Sequence, residues 1–390
     1  MMIRDMRMLE CSGERNSLRG LKLVVRRGLK MSHLLTLSFG CLSMAAPIFA
    51  QTTYYGVQGS LWAYAGSPGS NMKMDYDHVR QRFVVQYNYG STPPVYGTLD
   101  LNTKSFSHFF TGWGTTYYET LLTVLPANWG SYSQGTTFVT RAGGGEIHAV
   151  DPSGSATLFA SGLPAGGTGP THYSTVRWDA FGVANNDMFY ANEGTGHVVR
   201  LNSSGSVVWQ TILRDPSTGQ TFRPESMIVL GSNPRWGPYQ NHVVVGENPY
   251  APASFSMLFL IDPATGSYTI NASPIPRTPE SLRLFPYTGS NWALYVSLHG
   301  GGIYQLKNFS GIPNLQPGDL FIAQEEPSGG KVYHVYWDSN TNSFVTQLIA
   351  DFNGLGYLED MVFAPVPEPS SLLILFGLAG MGRLVRRRRR

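Results

Sequence analysis

Arg223-Pro224-Glu225-Ser226-Met227 and Thr278-Pro279-Glu280-Ser281-Leu282 are two versions of one phrase, set 55 residues apart. Each opens an apolar strand, Ile228–Leu230 or Arg283–Phe285, and then a polar Gly/Asn turn. A second strand follows, His242–Val245 or Ala293–Val296. A third, Met257–Ile261 or Ile303–Leu306, comes next, the first of them ahead of the turn Asp262-Pro263-Ala264-Thr265-Gly266. Fainter copies precede them. Tyr118-Glu119-Thr120-Leu121 leads to Thr137–Thr140, Ile147–Val150 and Asp151-Pro152-Ser153-Gly154. Tyr173-Ser174-Thr175-Val176 leads to Asp187–Ala191, His197–Leu201 and Asn202-Ser203-Ser204-Gly205. The turns have a mechanism: Asp or Asn caps its own turn, Pro presets φ, and Gly accepts positive φ.

The anchors 119, 174, 225 and 280 lie 55, 51 and 55 residues apart, the length of a four-stranded sheet with its loops. No long 3.6-residue pattern runs between Gln51 and Pro365, and short apolar runs separated by Gly, Pro, Asn and Asp read as all-β. The expected fold is therefore a β-propeller. Asp77-His78-Val79, Phe83–Gln86 and Thr98–Leu101 fit a first blade; Leu320–Ala323, Val332–Tyr336 and Ser343–Ile349 fit a late one. Leu358–Phe363 reads as an opening strand with nothing after it. Tyr54–Val57 and Ser60–Tyr64 read as later strands with no opener, so the two ends of the body would close the ring and leave no free sheet edge. This count gives seven blades, the favoured number, or six if 320–349 belongs to its neighbour.

Glu119, Ser174, Glu225, Glu280 and Glu359 open the innermost strands, with Asp77 and Asp360 nearby. Carboxylates converging on a central channel repel one another unless a hard cation or water lies between them. A divalent cation such as Ca²⁺ is the one cofactor this pattern brings into view. The plainer expectation is that each Glu accepts hydrogen bonds from backbone amides of a neighbouring blade. The units at 223–266 and 278–307 resemble NHL-type and gluconolactonase-type β-propeller repeats. That resemblance implies a channel Glu with Asn and Asp ligands, for which Glu225, Glu280, Asn192 and Asn248 are the nearest candidates. The second strands end in varied polar clusters, Thr140-Arg141, Asn192-Glu193, Glu247-Asn248 and Leu298-His299, suited to a ligand-facing loop surface or to ordinary loops. No nucleophile motif or phosphate-cradling loop is present: Gly143-Gly144-Gly145 and Gly300-Gly301-Gly302 are turns without a following helix.

Both ends of the chain read as addresses. Arg26, Arg27 and Lys30 precede an apolar run from Met31, and Ala50 closes a small-residue site before Gln51, the layout of a signal peptide handled by the Sec translocon. Residues 1–50 are thus an expected signal region, with Met31 the better start than Met1. Cys11 and Cys41 both fall within it, so a body beginning at Gln51 has neither disulfides nor thiolate sites; a lipoprotein cut at Cys41 is the rival reading. At the other end Val366-Pro367-Glu368-Pro369 is followed by the apolar run Leu372–Met381, then Arg383 and Arg386, Arg387, Arg388, Arg389 and Arg390. The run is about half of the ~20 residues that span a bilayer, and the arginines would hold this end on the cytoplasmic face. Motif, apolar helix and basic tail in that order resemble the PEP-CTERM sorting signal of Gram-negative bacteria that make extracellular polymer. The resemblance implies an exosortase as partner, transient retention in the inner membrane, and removal of the helix and tail. The domain expectation is signal region 1–50, propeller 51–365 and sorting signal 366–390.

Charge narrows the partners. Of 28 basic residues, 8 precede Gln51 and 6 follow Ser370, while 3 of 25 acids precede Gln51; residues 51–370 keep 14 against 22, a net of −8. An acidic body lacks the basic footprint of a nucleic-acid binder. The expected role is that of a non-catalytic binding or scaffold module at the cell surface or in the extracellular matrix, facing a polysaccharide or protein ligand. The alternative is a metal-dependent lactonase- or hydrolase-like enzyme using the channel carboxylates.

Overall fold

The computed structural model describes residues 52–366 except 64–72, 88–92, 114–119, 142, 167–172, 249–256, 273–274, 276–277, 287–290, 300–301 and 327–328. The signal region, Glu119, and every sorting-signal residue after Val366 (Pro367, Glu368, Pro369, Leu372–Met381, Arg383 and Arg386–Arg390 among them) lie outside the described residues.

Six antiparallel sheets stand in a ring. The first four blades each use consecutive strands, inner to outer. Blade one is Met74–Asp77, Arg82–Tyr87, Val95–Asp100 and Phe106–Thr111; blade two is Leu122–Val124, Thr137–Thr140, Gly144–Val150 and Ala156–Ala165. Blade three is Ser174–Trp178, Met188–Asn192, His197–Leu201 and Val207–Ile212; blade four is Pro224–Val229, Val243–Glu247, Met257–Ile261 and Tyr268–Ala272. Each inner strand packs on the next around the ring, and Leu358–Pro365 of the sixth blade returns to Met74–Asp77 of the first. Central strands are covered on both faces by neighbouring blades, so Met188–Asn192 and Val243–Glu247 are buried at every position and read as apolar runs up to a polar last residue, Asn192 or Glu247. The outer Val207–Ile212 is exposed or half-buried throughout.

The turn glycines do two things at once. Gly154, Gly205 and Gly266 have φ of +96°, +79° and +74°, where a Cβ is strained. A Cβ there would also meet Phe109 O at 2.9 Å, Phe159 O at 2.1 Å and the Trp209 ring at 2.8 Å. Those residues lie on the outer strand of the preceding blade, so each hairpin turn docks against its neighbour. Asp151 caps its turn through Ser153 N (2.8 Å) and Ser155 N (3.0 Å), and Asn202 repeats this with Ser204 N and Ser206 N.

The blades number six, not the favoured seven, and the last two exchange strands. Pro279–Leu284 pairs with Leu320–Glu326, followed by Gly329–Asp338, Ser343–Asp351 and the short N-terminal Thr52–Thr53. Trp292–Leu298 and Gly302–Lys307, which the repeat assigned to the strand at 279, belong instead to the sheet of Leu358–Pro365: Trp292–Leu298 pairs with it, Gly302–Lys307 pairs with Trp292–Leu298, and Gln58–Ala63 is outermost. The chain thus leaves blade five after Leu284, builds the middle of blade six and returns. At the crossing, Phe285 N donates to Asp319 O and Gly318 N to Phe285 O, both at 2.8 Å. Phe285, Phe309, Phe321 and Phe363 pack there ring against ring at 5.1–6.0 Å. Local pattern names strands but not their partners, because pairing is decided by contacts distant in sequence. Both ends of the body do close the ring, Leu358–Pro365 as an inner strand and Gln58–Ala63 as its outer companion; Tyr54–Val57, expected as a strand, is a turn, and the Thr52–Thr53 ahead of it joins blade five.

Candidate channel site

The repeated glutamates owe their position to β-bulges. Pro224 pairs with Glu247 and Ser226 with Gly246, leaving Glu225 as the extra residue. Glu280 is extra between Pro279 and Ser281, and Glu359 between Leu358 and Asp360. A bulge turns an extra side chain away from the ladder, so the phrase Pro-Glu-Ser encodes a bulge at the mouth of the channel. The serine ties the blades: Ser226 Oγ donates to Pro279 O, and Ser281 Oγ to Asp360 Oδ1 (2.5 Å).

Two separate clusters result. In the first, Lys73 Nζ hydrogen-bonds Glu280 and Glu359 O (2.8 Å) and lies 3.9 Å from Glu359 Oε2. The lysine is fully buried and its partners nearly so. His299 Nδ1 approaches Glu359 Oε1 at 3.5 Å. The positive charge set among these carboxylates is therefore one the chain itself supplies. Below it, Asp360 accepts from Met74 N (2.9 Å) and Met361 N (2.8 Å) and pairs with Arg283 Nη2 (3.1 Å).

The second cluster brings together Glu225, Asn248, Glu193 and Arg223. Asn248 Nδ2 donates to Glu225 Oε2 (2.9 Å) and Glu193 Oε1 (3.1 Å), while Arg223 Nη2 pairs with Glu193. Beside them Glu247 accepts from Met257 N (3.1 Å). Burial pushes its carboxyl up to about 7, against the opposing pull of that amide and of Arg223. Its folded value exceeds the ordinary 4.5, so the folded state holds the extra proton in this window and stability falls as pH rises across it. Glu247→Gln is expected to remove that part of the slope, read as urea midpoints at about pH 5 and about pH 8.

Of the remaining candidates, Asn192 and Ser174 meet, Asn192 Nδ2 donating to Ser174 Oγ (3.5 Å). Asn192 also serves its own turn, accepting from Thr195 N (3.1 Å) and Thr195 Oγ1 (3.0 Å). The Ser174 carbonyl accepts from Leu121 N (3.1 Å) and Thr140 Oγ1 (3.3 Å). Asp77 sits at the opposite end of its strand, where its Oδ1 accepts from the amides of Val79 and Arg80 and its Oδ2 pairs with the Arg80 and Arg82 side chains. Among the described residues, no three His, Cys, Asp or Glu side chains are grouped to hold a metal ion. Sequence reasoning missed Lys73 because it opened blade one at Asp77. The strand begins at Met74, and starting there puts Lys73 in the place that Glu225, Glu280 and Glu359 occupy.

No curated protein is a significant match to the chain. Among solved structures, virginiamycin B lyase from Staphylococcus aureus is 12% identical, covering 76% of this chain and 89% of that chain at a TM-score of 0.42. An α-L-arabinofuranosidase from Fusarium graminearum is 12% identical, covering 73% and 81% at 0.43. The calcium-binding protein regucalcin from Agrobacterium tumefaciens is 11% identical, covering 71% and 73% at 0.37. Among the described residues no helix is long and apolar enough to cross a membrane. Residues 365–390 match the PEP-CTERM protein-sorting motif. The chain thus carries the signal of an exosortase-sorted protein, exported with a transient membrane anchor and bound for the cell surface or the space beyond it.

Proposed function

We propose that the propeller is a non-catalytic binding or scaffold module of the cell surface or extracellular matrix, and that its loop face, where the inner strands begin, meets a polysaccharide or protein ligand. The observation that carries this reading is Lys73: an ammonium group of the chain sits among the carboxylates that a metal-dependent enzyme would leave for its cation. Arg223 and Arg283 neutralise Glu193 and Asp360 in the same manner.

The test is thermal unfolding of the purified protein after chelation and after addition of Ca²⁺, Mg²⁺ or Zn²⁺. A ligand at a hundred times its dissociation constant adds roughly 2.7 kcal/mol. The expected outcome is an unchanged melting curve, with matrix polysaccharide still bound after Glu225→Gln or Glu280→Gln. A Ca²⁺-dependent shift abolished by either change would instead establish the lactonase- or hydrolase-like reading. One observation favours that second reading: the Glu247 carboxyl, held near neutrality beside Arg223, has the poise of a general acid or base.

Processing is tested separately. Mass spectrometry of the protein recovered from outside its host should find a first residue near Gln51, one position ahead of the strand at Thr52, and no Arg386–Arg390. An exported chain that kept its arginine tail would overturn the proposed removal of that tail.

A further inference from the structure

At the end of the channel opposite Lys73, the inner strands open into a cavity of about 270 Å³. Its wall is largely apolar, with Tyr76, Trp178, Trp292, Phe363 and the 40% exposed Phe181 among the side chains lining it. Asp75, Arg177 and Arg283 supply its charge. Arg283 is committed to Asp360 and to the carbonyls of Met74 and Leu282. Arg177 is less so. Among the described residues its one hydrogen bond runs from Nε to Met227 O (3.2 Å), and Nη1 forms an ion pair with Asp75 Oδ2 at 3.7 Å, longer than a hydrogen bond. Among the described residues, nothing accepts a hydrogen bond from either terminal nitrogen of Arg177, although the residue is only 8% exposed.

A guanidinium that is nine-tenths buried normally spends its fork on a partner. Here that fork belongs to a side chain lining a space with apolar walls, where a planar anion would gain two parallel charge-assisted bonds in a medium of low dielectric. Asp75 close by disfavours a dianion. Burial and the neighbouring Arg283 charge press Arg177 down to about 10 against the opposing pull of Asp75 and Asp360, and a bound anion would add to that pull. The volume lies just under the usual range for drug-sized ligands, which is room for one ring. We infer that this cavity is a binding site for a single-ring carboxylate, whose carboxyl group is held by the Arg177 fork and whose ring packs among Tyr76, Trp178 and Trp292. Sugar acids and aromatic acids share that chemistry.

Isothermal titration of the purified protein with glucuronate and with benzoate tests the site, with glucose and benzyl alcohol as neutral counterparts. The expected result is saturable binding of at least one acid, at least tenfold tighter than its neutral counterpart. Which acid binds tells the two sources apart. Arg177→Gln should weaken binding at least tenfold. Ala180→Trp, at an exposed position that also lines the cavity, should do the same by filling the entrance while leaving the melting curve in place. Binding of neither acid, equal binding of the neutral counterparts, or full affinity in Ala180→Trp would each overturn the inference.

Discussion

Lys73→Met is expected to cost about 3–5 kcal/mol of stability, the penalty for breaking a buried ion pair from one side. At roughly 2–4 °C per kcal/mol for a domain of this size, the melting temperature should fall by about 6–20 °C. The cause lies less in the lost attraction than in what remains. With the ammonium removed, Glu280 and Glu359, 2% and 3% exposed, face each other without their shared counter-ion, and Glu359 O loses a donor. Three consequences separate this from simple loss of packing. The deficit should narrow as pH falls, because like charges raise the carboxyl pKa and a proton can take the place of the lysine. Millimolar Ca²⁺ should stabilise the variant more than the parent, since the substitution vacates the position of a cation. Adding Glu280→Gln to the variant should recover part of the loss, a coupling expected of residues in one network. A loss below about 1 kcal/mol, the ordinary value of a surface pair, would mean that water serves the carboxylates as well as Lys73 does.

The fold was legible wherever a local signal and its structural consequence coincide. Pro-Glu-Ser at 224–226 and 279–281 marks an inner strand and its bulge together, and Asp-Pro-Ser-Gly at 151–154 marks a hairpin turn that must also fit beneath Phe109. Strand ownership was not legible. Trp292–Leu298 has the same apolar, β-branched character whether it sits beside Pro279–Leu284 or beside Leu358–Pro365, and only the crossing at Phe285 and Asp319 decides. In the channel the glutamates were visible because their phrase repeats; Lys73 was hidden because blade one has no such phrase. Arg177 and Arg283 had left a signal of another kind. In Ser174-Thr175-Val176-Arg177-Trp178 and Glu280-Ser281-Leu282-Arg283-Leu284, an arginine interrupts a run otherwise read as buried strand. A charge in that position implies either an edge or a lined channel, and in a closed ring the inner strand is not an edge.

A chain lacking residues 52–63 is expected to lose cooperative folding, because those residues complete two blades at once. Thr52–Thr53 extends blade five beside Ala350 and Asp351, and Gln58–Ala63 is the outer strand of blade six against Gly302–Lys307. The segment also brings Val57 and Trp62, 3% and 7% exposed, into two different core clusters. Trp62 packs edge-on against Phe83 of blade one and Tyr295 of blade six, at 5.4 and 5.0 Å, so it seals the seam where the ring closes. Truncating one such aromatic costs about 3–5 kcal/mol. Adding Val57 and two strands of hydrogen bonds takes the sum to the order of the whole stability of a domain, about 5–15 kcal/mol. Denaturant titration followed by tryptophan fluorescence should show a broad, early transition in place of a single sharp one. Because strand exchange already binds blades five and six to each other, the damage should be confined to the open seam, and a peptide of residues 52–63 supplied in trans should restore the sharp transition. A truncated chain that still unfolds as one sharp step near the parent midpoint would show that the exchanged strands hold the ring closed without this clasp.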